Sequence, residues 1–321
     1  PIRLIEPGEE LDPDKTIIAK KHPINRMLAN RNLSSDSLPL FAEIGNSIFC
    51  LHCMGDDWDT MMNSVEGAGN NSGNGQVAAA TGRAWNNIGT DKKILIVLVD
   101  FSNLPGGSVS QSTAQTRLTD IDTFYRANSH GKFGFGTKHV TPVLRMPNTT
   151  TTYTGQADGY GYVTLGQHAK AAADNAGYNT DDYHFCVVAF DSIPFSWAGL
   201  GTIGQAPGYN FAVSWINHSS LRDSVLAHEL GHNLGLYHAA SWNPSSTTQP
   251  DYATGAHVEY GNDFAVMGYA NQYSLPKLHS TVHYKNLLDW VSDSHIKTVT
   301  GNYSGRIYAS DRTQTTGRDY A

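Results

Sequence analysis

Eleven consecutive residues, His228-Glu229-Leu230-Gly231-His232-Asn233-Leu234-Gly235-Leu236-Tyr237-His238, hold the densest chemistry in the chain. They read H-E-x-x-H-x-x-G-x-x-H. On a helix His228 and His232 stand four apart, so both imidazoles leave one face, a turn from each other. That separation suits two nitrogens at about 2.0–2.1 Å from a tetrahedral Zn²⁺. Glu229 lies one step round the helix, where it can hold a water without ligating the metal. Gly235 can adopt φ > 0 at a helix end, and the resulting turn brings His238 back as a third ligand. Three protein ligands leave a fourth position open, which marks a catalytic rather than a structural zinc site. With 14 His, 7 Glu and 31 Gly in 321 residues, these five fixed positions would arise by chance in about one such chain in twenty thousand. The spacing is therefore read as a site.

The elements around it must present that face to a cleft. Leu226, Leu230 and Leu234 repeat every four residues, and Leu221 and Val225 extend the same apolar side, which predicts a helix packed into the domain. Ser220 is its expected N-cap, with Asp223 three residues on as an imperfect capping box. Upstream, strands and helices alternate. Lys93 to Phe101 is a continuous apolar run, as in a buried strand. Gln111 to Asn128 is helical, with Leu118, Ile121, Phe124 and Tyr125 on one side. Phe133 to Leu144 reads as strand with a break at Pro142, and Val163 to Ala176 as an Ala-rich helix. His184 to Phe190 reads as a second central strand, with Cys186 as an inert core thiol. Gly199 to Ile216 is Gly-rich and extended, suited to a sheet edge onto which a peptide could add as a strand. This alternation predicts an α/β sheet in front of the metal helix. Leu275 to Val291 reads as a last helix, burying Leu287, Leu288 and Trp290.

A Gly/Asn/Ser-rich stretch from Val65 to Gly75 sets the first boundary. It divides an N-terminal segment, 1–75, from a catalytic domain, 76–291, and residues 292–321 read as the start of a C-terminal β segment. Hydrophobic content of 40% is enough for a core of this size, and a net charge of −7 without a basic block argues against nucleic acid. No stretch approaches the ~18–20 apolar residues of a membrane span. Pro1 opens no signal peptide, as in a processed or trimmed chain. Few charges (16%) and abundant Asn, Thr, Ser, Gly and Tyr suit a secreted protein. Three cysteines, Cys50, Cys53 and Cys186, leave at least one thiol unpaired within the chain. Cys50-Leu51-His52-Cys53 has zinc-knuckle spacing, but there is no second C-x-x-C to complete such a site. A structural Ca²⁺ would suit the many Asp, although no Ca²⁺-loop motif is present. The other eleven histidines, among them His130, His168 and His283, have no ligand spacing. No feature of the sequence fixes an oligomeric state.

Downstream of His238 comes Glu259-Tyr260-Gly261-Asn262-Asp263-Phe264-Ala265-Val266-Met267-Gly268-Tyr269. A long zinc motif followed by such a Met-containing turn resembles the metzincin clan of zinc endopeptidases. Met267 matches the clan's methionine turn. Tyr269 matches the tyrosine that reaches the metal region in astacin-like and serralysin-like members, although Gly268 between them differs from those groups. The wider chain is most similar to the gametolysin family. The similarity rests on Lys93–Phe101, on Asn128-Ser129-His130-Gly131-Lys132-Phe133, and on Glu259-Tyr260-Gly261 ahead of Val266-Met267-Gly268, and it covers roughly residues 90 to 290. The resemblance implies a twisted, mostly parallel sheet with an active-site zinc helix, followed by a C-terminal subdomain that contains the Met-turn. It implies Zn²⁺ as cofactor, protein or peptide substrates, Glu229 as general base and Tyr269 as an oxyanion donor. A thermolysin-type site would instead take Glu259, the only Glu after Glu229, as third ligand.

Several metzincins, gametolysin relatives among them, are made as zymogens with a propeptide thiolate on the open zinc position. That would make Cys53 or Cys50 an inhibitory ligand, though no clear copy of the usual cysteine-switch motif is present. A Cys50–Cys53 disulfide, or a plain N-terminal subdomain, is the other reading of this segment. The expected function is thus a secreted zinc endopeptidase. Its alternatives are a latent form of the same enzyme and an inactive adhesive or binding protein on a protease scaffold. The intact Glu229 argues against the last.

Overall fold

The computed structural model describes residues 2–5, 41–44, 47–50, 89–156, 161–206, 209–245, 254–268, 278–296, 302, 304–306 and 308–311. The chain order is β1 (Ile2–Ile5), β2 (Phe41–Ile44), β3 (Ser47–Cys50), β4 (Gly89–Asp100), α1 (Gln111–Asn128), β5 (Phe133–Val140), β6 (Leu144–Arg145), α2 (Thr150–Thr154), α3 (Gly161–Asn175), β7 (Phe185–Phe190), β8 (Gly199–Ile203), β9 (Ala212–Asn217), α4 (Asp223–Asn233), β10 (Ser241–Pro244), β11 (Gly255–Val258) and α5 (Val282–Leu287). The fold is mixed α/β. Its main sheet has the order β1-β2-β3-β8-β9-β7-β4-β5, with β6 also on β4. The strands β9, β7, β4 and β5 run parallel, β8 lies antiparallel to β9, and β3 pairs antiparallel with the outer edge of β8 through Ile48↔Ile203 and Phe49↔Thr202.

Alternation along β4 explains the layering. Leu95, Val97 and Val99 point to one face and meet Leu165, Ala169 and Ala173 of α3. Ile94, Ile96 and Leu98 point to the other and meet Leu118, Ile121 and Phe124 of α1 together with Leu226 and Leu230 of α4. Both faces are covered, which is why β4 and β7 read as unbroken apolar runs. Helix α1 has the bounds its sequence predicts. The Ser110 side chain caps it by accepting from the Thr113 amide at 3.1 Å. Pro142 falls between β5 and β6, as its missing N–H requires.

Two expected elements differ. Helix α4 begins at Asp223, with Arg222 as an N-cap that makes no side-chain bond. Leu221 is fully buried and sits at φ 45, so the core takes its side chain and the backbone cannot be helical there; Ser220 Oγ lies 3.0 Å from His218 Nδ1 instead. The expected helix Leu275–Val291 shrinks to Val282–Leu287 among the described residues. Thr281 caps it by accepting from Tyr284 N, and Asp289 at φ 60 turns the chain away. Leu288 and Trp290 are buried as expected, whereas Leu287 is half-buried. Past Ser292 the described residues hold a 3₁₀ turn, Asp293–His295, and no strand. Among the described residues no helix is long and apolar enough to cross a membrane.

Candidate metal centre

Helix α4 packs its leucines inward and carries His228, Glu229 and His232 on a buried face. Gly235 ends the helix at φ 92. Its amide donates to His232 O at 2.7 Å and the Leu236 amide to Gly231 O at 3.0 Å. This pair of bonds is the Schellman arrangement that a left-handed glycine permits. The reversed chain returns His238 to the helix face, as the motif predicts. Ring centroids are 4.8 Å apart for His228 and His232, 4.9 Å for His232 and His238, and 5.3 Å for His228 and His238. One ligand atom from each lies within 4.8 Å of the others; no other group of three His, Cys, Asp or Glu does so among the described residues.

The outer nitrogens fix the ring tautomers. His228 Nδ1 lies 2.9 Å from Val266 O, His232 Nδ1 lies 2.7 Å from Leu236 O, and His238 Nδ1 lies 2.5 Å from Glu259 Oε1. A carbonyl can only accept, so Nδ1 of His228 and of His232 carries the hydrogen and Nε2 keeps its lone pair. Burial pushes His228 down to about 3, helped by His238, and holds His232 well below the ordinary histidine range. Imidazoles anchored through Nδ1 offer Nε2 as the ligand atom, which is what a zinc ion requires, so the donor set fits the metal.

The surroundings are held by backbone. Met267 is fully buried below the helix, where a methyl on Gly231 would collide with its Sδ. Ala239 N donates to Met267 O at 2.7 Å, and Gly268 N to Ala265 O at 2.9 Å, so the chain turns directly behind the third histidine. The His228 acceptor is itself braced: Val266 N donates to His279 O, and the neighbouring Ser280 exchanges two bonds with Asn128 at the end of α1. On the other side, β8 lies against α4. A methyl on Gly199 would sit 2.5 Å from Glu229 Oε1, and one on Gly201 2.8 Å from Glu229 O. Asn233 locks this contact, donating to Thr202 O and Val213 O at 3.0 Å and accepting from Ser214 Oγ at 2.7 Å.

The structure thus gathers His228, Glu229, His232 and His238, with Met267 beneath them. Tyr269 and Cys53 lie outside the described residues, and Cys50 is the last residue of β3. Cys186 is a buried free thiol whose pKa burial raises, an inert core group as expected. His168 bonds Tyr153, and His130 and His283 lie outside the cluster's ligand group. Three contributors were given no role by the sequence: Tyr260, whose ring centroid lies 3.8 Å from that of His238, the Val266 carbonyl, and Asn233. Glu259 is where the thermolysin-type alternative would need a ligand, but it faces His238 Nδ1 and lies outside the ligand group.

A mixed α/β sheet backing a helix with three converging histidines, within a chain whose match is to a peptidase family, fits a zinc metallopeptidase. The family model that matches is the one the motifs suggested: residues 108–255 are similar to the gametolysin peptidase M11 model, a span that contains all of α4 and His238. No curated protein matches the chain. Forty-two chains of solved structures do, among them metalloproteinase-II from Bacteroides fragilis, at 15% identity and a TM-score of 0.38 over 81% of this chain and 78% of that one. Another is catalytically inactive OgpA from Akkermansia muciniphila bound to an O-glycopeptide, at 15% identity and a TM-score of 0.36 over 70% and 68%.

Proposed function

We propose that the protein is a secreted zinc endopeptidase that hydrolyses peptide bonds within proteins, with His228, His232 and His238 as ligands and Glu229 as general base. One observation carries this reading: three imidazoles, each anchored through Nδ1, converge beside the buried carboxylate of Glu229. When bound, zinc supplies a Lewis acid that makes a water acidic near pH 7 and polarises a carbonyl. Glu229 takes the proton of the attacking water and returns it to the leaving amine. The buried turn at Met267 serves as the Met-turn of a C-terminal subdomain, a floor that fixes the ligands from below. Once β3 is displaced, a peptide can lie along the β8 edge, where Gly199 and Gly201 bring backbone close to Glu229. Secretion is supported by composition alone. Metal analysis with casein hydrolysis tests the reading. Stoichiometric zinc with turnover supports it, whereas zinc without turnover, or neither, points to the latent or the adhesive alternative.

Tyr269 is proposed as a donor to the oxyanion. Tyr269→Phe should then lower kcat with little change in KM, by on the order of 10²–10³ at most. An unchanged kcat would leave Tyr269 with a structural part only.

One feature favours latency as a second reading. Strand β3 pairs with the outer edge of β8, the edge an incoming peptide would use. In that reading the intact chain is latent, Cys53 or Cys50 ligates the zinc, and cleavage between Val65 and Gly75 activates it. Cys53→Ser, or failing that Cys50→Ser, should make the uncleaved chain active. Equal activity of the intact protein, the cleaved protein and both serine variants would rule the switch out.

A further inference from the structure

The three histidines are not anchored alike. His228 and His232 lie on α4, and their Nδ1 atoms meet neutral backbone carbonyls. His238 lies beyond the Gly235 turn, outside any helix, and its Nδ1 meets a carboxylate, Glu259 Oε1, at 2.5 Å. The next residue reaches the same ring from another side: the Tyr260 ring lies with its centroid 3.8 Å from that of His238, at 32°. Consecutive side chains in an extended strand diverge to opposite faces, so two neighbours cannot both grip one imidazole from a regular β11. The backbone resolves this by placing Tyr260 at φ 58, a left-handed conformation costly for a bulky residue and kept where the surroundings impose it. The Gly261 amide closes the turn by donating to Val258 O at 3.0 Å. The other Glu259 oxygen faces His257 Nε2 at 3.6 Å.

We propose that Glu259 and Tyr260 form a two-residue clamp that positions His238 for zinc, Glu259 holding Nδ1 and supplying a negative charge, Tyr260 packing on the ring face. The inference rests on the zinc reading of the site. Glu259 is a positioning residue, not a ligand. By accepting from Nδ1–H it commits Nε2 to the metal, and its charge makes that nitrogen a stronger donor while offsetting part of the 2+ charge. A carbonyl could supply the orientation but not the charge. The third ligand, which lacks the support of a helix, is thereby given the strongest anchor.

The test measures zinc affinity of the full chain by competition with a chromophoric chelator, and the visible spectrum of the Co²⁺-substituted protein. Glu259→Ala should weaken zinc about 10–100-fold, the range for outer partners of ligating histidines. Glu259→Gln keeps an acceptor oxygen and loses only the charge. It should fall between wild type and Glu259→Ala and shift the Co²⁺ bands, a change that altered packing remote from the metal would not produce. Tyr260→Gly relieves the left-handed backbone yet removes the ring, and should weaken zinc despite the relief of strain. Wild-type affinity with an unchanged Co²⁺ spectrum in Glu259→Gln and Glu259→Ala overturns the clamp while leaving the zinc site standing. A loss in Glu259→Ala as complete as in His238→Ala also overturns it, because Glu259 would then be a ligand. A wild-type chain that binds no zinc refutes the site itself.

Discussion

Glu229→Ala is expected to bind zinc as wild type does and to lose nearly all turnover. Glu229 is 4% exposed and shares its helix with two of the proposed ligands, but the three converging nitrogens all belong to histidines. Truncation therefore removes a proton acceptor without removing a ligand. A positioned general base is worth on the order of 10²–10⁴ in rate, so kcat should drop by at least that range while metal content stays at one per chain. Zinc analysis alongside steady-state hydrolysis of casein or a peptide checks it. Near-wild-type kcat at full occupancy would sink the proposed mechanism.

His238→Ala should act on the metal first. It deletes one of three converging nitrogens and leaves Glu259 facing a void where it held Nδ1. The loss of zinc affinity should exceed the roughly 100-fold that marks the upper end for outer-partner mutations, and activity should fall with occupancy. Restoring activity with excess zinc would confirm that the defect is in binding. If the variant holds zinc as tightly as wild type, His238 is not the third ligand and the metzincin reading of the site is wrong.

Local signals made much of this molecule legible. The α1 bounds follow from a serine cap and one apolar stripe, and the β4 and β7 runs announce strands buried on both faces. The zinc motif announces its own geometry because ligand spacing, glycine turn and helix period all lie within eleven residues. The errors came where tertiary packing overrode local chemistry. Ser220 is as good a cap as Ser110 by residue type, but the core claims Leu221 and forces a left-handed backbone between Ser220 and the helix. At the last helix, Thr281 and Asp289 cut short a periodic apolar stretch. What brings Glu259 to His238 is a turn 21 residues away, and what holds His228 is a carbonyl, which every residue possesses. Neither leaves a pattern in the chain. The pairing of β3 with β8 is equally silent, since residues 1 to 65 show weak periodicity.

The glycines of β8 have a consequence for selectivity. On the face turned toward α4, Gly199 and Gly201 leave the strand at the shortest distance a polypeptide can keep, with the Glu229 carboxylate and backbone where any Cβ would go. The height of this rim above the Glu229 carboxylate is set by main chain alone. Substitution there can only add atoms, and added atoms can only lift the strand together with whatever chain is laid along its edge. Since a displacement of about 1 Å at a reacting centre can cost on the order of 10²-fold in rate, this face behaves as a gauge block that admits no variants. In the proposed peptidase the capacity to tell one peptide from another would therefore be written on other walls of the cleft, and this one would act on every substrate alike.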